Sequence, residues 1–176
     1  NRIRGCALGV VFSTMIAASA NAALVAELDA DQDGNGPTDP KISVTISENA
    51  GNLDFNVNVV PNPDKTADLR GIFFNLGIGN SSGISVTNGD VTDLQLDTNN
   101  TGGGNTVGPL GPFDVAVVIG TSGIGTDDIQ STAFTVSDSN NALTLGDILD
   151  QDIAGRLTSV GEPESDRKGS LKLQGT

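Results

Sequence analysis

Apolar and polar residues alternate through much of this chain, the period-two pattern of strands with one buried face. KISVTIS places Ile42, Val44 and Ile46 on one face, and LDFNVNVV does the same with Leu53, Phe55, Val57 and Val59. The ENAGN link between them is rich in turn formers, which predicts an antiparallel hairpin. FDVAVVIG aligns Phe113, Val115, Val117 and Ile119 with Asp114 opposite, and STAFTVS and GRLTSVG repeat the alternation over shorter spans. ADLRGIFFNLG interrupts it. Phe73 and Phe74 are adjacent, so one ring must leave the face the other occupies unless a bulge intervenes, and Gly71 would permit one.

Helix is scarce. LTLGDILDQDIAG, residues 143 to 155, spaces Leu145, Ile148, Leu149 and Ile153 for one helical face, but Gly146 weakens it and two short strands around a turn fit nearly as well. NNTGGGNTVGPLGP, residues 99 to 112, predicts a long surface loop, with order and partial disorder equally compatible with its composition. About eight to ten short strands separated by turn clusters define the expected fold class: all-β, an antiparallel β-sandwich with Greek-key or jelly-roll wiring and at most one short helix. A single domain over residues 41–176 accounts for the whole pattern, preceded by an acidic segment over residues 23–40.

The first 22 residues follow a different rule. Arg2 and Arg4 precede the apolar run CALGVVFSTMIAASA, and ANA supplies the small side chains of a cleavage site, so residues 1–22 are expected to be a secretory signal peptide. The run is too short for a stable membrane span. The chain's one Cys and one Met, Cys6 and Met15, lie inside it, which leaves the mature domain without a thiol or a disulfide. Cleavage would also remove two of the nine basic residues and none of the 22 acidic ones. A field this negative repels nucleic acid and anionic membrane surfaces and attracts divalent cations.

The absent residue types narrow the chemistry further. With no His in the chain, a Ser–His–Asp or Cys–His catalytic unit is impossible. Zinc, copper and non-haem iron are disfavoured for the same reason. No Trp and no Tyr are present to stack on sugars or bases. Oxygen ligands remain, and they suit calcium. LDADQDGNGPTD begins as many calcium loops do, with Asp29, Asp31 and Asp33 before Gly34. The twelfth position is Pro40, however, and Asp39 sits one residue early, so an EF-hand is not expected. A looser calcium loop using Asp29, Asp31, Asp33 and Asp39 stands against an acidic linker as the two readings of this stretch. Asp127 and Asp128 are weaker candidate calcium ligands. As neighbours in an extended chain they point apart, which suits turn capping better than paired acid–base work. Arg70 and Arg156, the basic residues expected inside the fold, are read as structural ion-pair partners at a sheet edge.

ADLRGIFFNLG, GPFDVAVVIGTSGIGTDDIQSTAFTVS, LTLGDILDQDIAGRLTSVG and GSLKLQGT together resemble a family of exported bacterial proteins of cyanobacterial and other Gram-negative type, often carrying a C-terminal PEP-CTERM sorting tail. The resemblance spans most of residues 41–176 and is most specific from Gly120 to Thr132. It implies secretion or display at the cell surface and carries no catalytic residues with it. The sequence reaches Thr176 without the apolar sorting segment. The expected function is a non-catalytic exported structural or interaction protein of the cell envelope, extracellular matrix or an extracellular assembly, stabilised by calcium if the acidic loop binds it. Its expected partner is an extracellular protein, a polysaccharide or a second copy of itself, with no nucleic acid and no membrane insertion. A calcium-dependent carbohydrate-binding or cohesin-like recognition module is the alternative, and a carboxylate-based hydrolase comes last.

Overall fold

The alternating segments pair into two antiparallel sheets packed face to face. The computed structural model describes residues 22–31, 39–87, 89–102, 106–108 and 110–175, so all but the last residue of the expected signal peptide lies outside the described residues. In chain order the strands are β1 (Ala23–Leu28), β2 (Ala30–Asp31), β3 (Lys41–Asn49), β4 (Asn52–Val60), β5 (Thr66–Phe74), β6 (Ile84–Thr87), β7 (Val91–Thr98), β8 (Phe113–Ile119), β9 (Ser131–Asp138), β10 (Ile153–Gly161) and β11 (Gly169–Gly175). One sheet has the order β1-β3-β4-β9-β6 and the other β2-β11-β10-β5-β8-β7. The chain therefore changes layer after β1, β2, β4, β5, β6, β8 and β9, the interleaved wiring expected of a sandwich.

Local chemistry explains the individual elements. Ala50 and Gly51 both have positive φ, 51° and 81°, which matches the two-residue hairpin turn whose twist suits flanking strands. β3 and β4 pair in continuous register from Lys41↔Val60 to Asn49↔Asn52. The weak helical pattern after residue 143 resolves into one turn of 3-10 helix, Leu145–Asp147, followed by a turn and then β10. Thr144 and Asp147 cap that turn reciprocally, and Gly146 keeps it from extending. The acidic segment of residues 23–40 supplies two strands that the alternation had not separated. β1 pairs with β3 in one sheet, and two residues later β2 pairs with β11 in the other. Its ALVAEL alternation is short and follows directly on the apolar N-terminal run, so periodicity alone did not separate it.

The main core fills the space between the sheets. Phe55 and Phe134 face each other across the β4–β9 ladder with centroids 5.0 Å apart, and Phe74 from the opposite sheet stacks on Phe55 at 4.9 Å. Three of the six phenylalanines thus join both layers at one point. Gly155 on β10 marks a close approach of the sheets, since a Cβ there would come within 2.3 Å of Ile42 Cδ1. A second, smaller core lies on the outward face of the six-stranded sheet, where Phe73, Phe113, Val107, Ala116 and Ala154 cluster with Leu110. Phe113 departs from the expected alignment here. It leaves Val115, Val117 and Ile119 in the main core and joins Phe73, with ring centroids 6.1 Å apart. The loop from residue 99 to 112 carries Val107 and Leu110 onto this cluster and folds back through Val107 N–H donating to the Asn99 carbonyl.

Removing the ring that bridges both layers is expected to be costly. Phe55→Ala should lower the unfolding free energy by about 3–5 kcal/mol and Phe55→Leu by clearly less, measured by urea unfolding. A loss below about 1 kcal/mol for the alanine variant would show that the stack does not hold the layers together.

Candidate functional site

The two outward faces of the sandwich are finished differently, and the difference starts on β5. All nine of its residues are buried. In the β10 ladder the register slips between Arg156↔Gly71 and Leu157↔Leu69, so Arg70 is the unpaired residue of a bulge. The slip lets Ala67, Leu69, Ile72 and Phe74 all reach the main core while Phe73 turns outward. Gly71 assists, because a Cβ there would press to 3.1 Å on the Phe73 ring and 3.2 Å on the Val117 carbonyl oxygen. β8 pairs with β5 only over Gly71–Phe74. Beyond it the segment 127–130 takes its place. Leu69 N–H donates to the Ile129 carbonyl, Ile129 N–H donates to Asp68 Oδ1 at 3.1 Å, and Val59 N–H of the other sheet donates to the Gln130 carbonyl.

This half of the outward face is polar. Asp68 is fully buried, and Arg70, Arg156 and Arg167 are nearly so. Arg70 donates from Nη1 to the Ile119 carbonyl at 2.5 Å. It and Arg156 stand on the interior strands β5 and β10 rather than at a sheet edge. The segment around residues 162–168 brings Arg167 over the sheet, where its Nη2 lies 2.5 Å from Asp128 Oδ1. Sequence reasoning missed Arg167 because it sits in the charged, aperiodic stretch GEPESDRKG. Gly161 is the signal that could have found it. A side chain there would collide at 3.1 Å with the Arg167 stem.

Burial drives the Asp68 carboxyl up from its ordinary 3.8 to about 6. The Ile129 N–H and the nearby Arg70 charge oppose that rise, and Asp127 and Asp128 add to it.

The candidate calcium ligands are placed as follows. Asp29 Oδ2 lies 3.2 Å from Lys41 Nζ, which also pairs with Glu27, and Asp39 Oδ1 lies 2.7 Å from Lys65 Nζ. Asp31 falls on β2, and Asp33 lies outside the described residues. Asp127 Oδ2 accepts from the N–H and hydroxyl of Thr121, capping its turn, while Asp128 turns to Arg167. Among the described residues, no group of three or more His, Cys, Asp or Glu side chains converges so as to hold a metal ion. None of the described helices is long and apolar enough to cross a membrane.

Among the described residues, the outward face of the five-stranded sheet is open. Its registered rows are Ala23–Ser47–Asp54–Thr135–Thr87, Val25–Thr45–Asn56–Ala133 and Glu27–Ser43–Asn58–Ser131. Thr45, Ser47, Asp54, Asn56, Ala133 and Thr135 line a shallow concavity of about 510 Å³. Thr135 Oγ1 donates to Asp54 Oδ1 at 2.6 Å and Asn49 Nδ2 to Asp54 Oδ2 at 2.9 Å, so the one carboxylate in the concavity is already engaged on both oxygens.

Compared with known proteins, the chain matches no family model, no curated protein and no solved structure.

The buried Asp68 sets a pH dependence. A raised folded-state pKa gives a contribution that is complete below pH 3.8 and is lost as pH rises through about 6. Asp68→Asn should therefore match the parent near pH 4 and exceed it at pH 8 by about 1–3 kcal/mol, measured by denaturant unfolding at both pH values. An Asn variant that loses more stability at pH 8 than at pH 4 would contradict this assignment.

Proposed function

We propose that this chain is a non-catalytic exported β-sandwich that serves as a structural or interaction module of a cell envelope, extracellular matrix or extracellular assembly. The contact surface in this reading is the outward face of β3, β4 and β9. One observation carries it. The outward face of the six-stranded sheet is roofed by connections, whereas that of the five-stranded sheet is left open and set with rows of hydroxyls and amides.

The chemistry of those rows selects the partner. Despite a chain charge of −13, the positions that β3, β4 and β9 give to these rows carry one carboxylate, Asp54, among Ser, Thr, Asn and Ala, and Glu27 at the β1 edge is paired with Lys41. A surface of this kind offers many weak donors and acceptors and little charge, which suits a neutral, hydroxylated polymer held at several points at once. An acid–base hydrolysis would need two carboxylates flanking a bond, and Asp54 is alone in its concavity. Calcium enters only as a brace on the stretch from Asp29 to Asp39, acting by mass action on the folded state. A melting temperature that rises with millimolar calcium and returns on chelation is the expected sign, and an unchanged curve removes the ion.

The contact surface is tested by co-sedimentation with insoluble cellulose, chitin and starch. Retention on at least one polymer is expected for the parent. The exposed substitution Asn56→Arg should abolish it while shifting Tm by no more than about 2 °C. Failure of the parent to bind any of the polymers, or full retention by Asn56→Arg, would overturn the assignment.

A further inference from the structure

Each sheet of the sandwich has two edge strands, where backbone N–H and C=O groups are left without a neighbouring strand. Three of these edges are blunted. β2 is two residues long and β6 four. β7 is longer, but its register on β8 slips between Val91 and Asp93, Asp97 stands in the left-handed region at φ 52°, and Asp93 and Asp97 both carry carboxylates. β1 has none of these devices. Its six residues pair with β3 without a slip, from Ala23↔Ser47 to Leu28↔Ile42, and they include no Pro, no Gly and one charged side chain. That side chain, Glu27, is matched by Lys41 Nζ at 2.5 Å. Every second residue of β1 turns its N–H and C=O away from β3, and among the described residues no further strand pairs with them.

The strand is also apolar on both faces. Ala26 and Leu28 are buried in the main core and Leu24 packs partly on it. On the outward face, Ala23, Val25 and Glu27 each begin one of the three registered rows. Val25 is 66 % exposed, the most of any large apolar side chain among the described residues.

We propose that β1 pairs antiparallel with β1 of a second copy of this chain, about a two-fold axis through Val25, so that two five-stranded sheets become one of ten. The residues select the register. Antiparallel pairing sets same-face residues opposite one another. With Val25 on the axis, Val25 meets the second copy's Val25, Leu24 meets the second copy's Ala26, and Glu27 meets the second copy's Ala23. Apolar side chains then face apolar ones, and no two carboxylates stand opposite. With Ala26 on the axis instead, each Val25 would be set against the second copy's Glu27. The edge is thus its own complement, which favours a second copy over an unrelated strand. The charge of −13 on each copy opposes the contact, so salt should strengthen it by screening. The row Val25–Thr45–Asn56–Ala133 would run on into the same row of the second copy and double the open face. This pairing deepens the proposed interaction role, yet its test reads self-association and not polymer binding, so the two can fail separately.

Sedimentation velocity of the purified protein up to about 1 mM should show a monomer–dimer equilibrium with a Kd of about 10–500 µM, weak because one edge strand buries less than a standard interface. Raising the salt from about 0.05 M to about 0.5 M should tighten it at least about twofold. Val25→Glu, at an exposed position, sets like charges against each other on the axis. It should weaken the dimer at least about tenfold while Tm shifts by no more than about 2 °C. The register is read by cross-linking in a Cys6→Ser background, which leaves one thiol per chain. Val25→Cys should oxidise to a linked dimer, because directly opposite residues lie about 4.5–5.5 Å apart between Cα atoms, within disulfide reach. Glu27→Cys should stay unlinked, since the same pairing puts it about 13 Å from its counterpart. A protein that is monomeric at about 1 mM, a dimer that Val25→Glu leaves intact, or a Glu27→Cys link as fast as that of Val25→Cys would each refute the pairing.

Discussion

Strand β5 has both of its faces buried along all nine residues, yet a two-layer sandwich supplies a partner for one face only. That constraint organises the molecule. The inward face is met by the five-stranded sheet through Phe74 on Phe55. The outward face must be covered by connections, and two kinds of cover are used. Where Phe73 turns outward, the loop after β7 brings Val107 and Leu110 to build a second apolar core. Where Thr66, Asp68 and Arg70 face outward, the connections after β8 and β10 cover them with polar groups of their own.

The bulge at Arg70 is what allows one strand to serve both covers. Without it, strict alternation would keep Ala67 and Leu69 in the main core but send Ile72 and Phe74 outward. The polar cover is the less economical half. Charged groups taken out of water need partners at close range, and the Asp68 carboxyl, raised to about 6, shows that its partners do not fully offset burial. The apolar half carries no such penalty.

Much of the architecture was legible from alternation. The β3–β4 hairpin, β8, β9 and β10 were each readable because every second residue is apolar and the flanking turns are rich in Gly, Asn and Asp. The Phe73–Phe74 pair announced a conflict, and Gly71 its resolution. β1 was not legible, because its alternation merges with the preceding apolar run. β7 was not, because VTDLQLDT buries none of its residues fully. Four of the six candidate calcium ligands find partners within the structure: Lys41 for Asp29, Lys65 for Asp39, Thr121 for Asp127 and Arg167 for Asp128.

Periodicity alone determined that this chain forms an antiparallel β-sandwich, because a period of two places apolar side chains on one face and water enforces the rest. The lack of His likewise excludes an imidazole-based catalytic unit from these 176 residues, and the lack of Trp and Tyr excludes stacking on their rings. Only the tertiary structure decided which outward face is roofed and which stays open, and that Thr66, Asp128 and Arg167 meet although they lie as much as a hundred residues apart. Strand order and register set those contacts, and neither leaves a mark in local sequence, because the same alternating strand can take any place in a sheet.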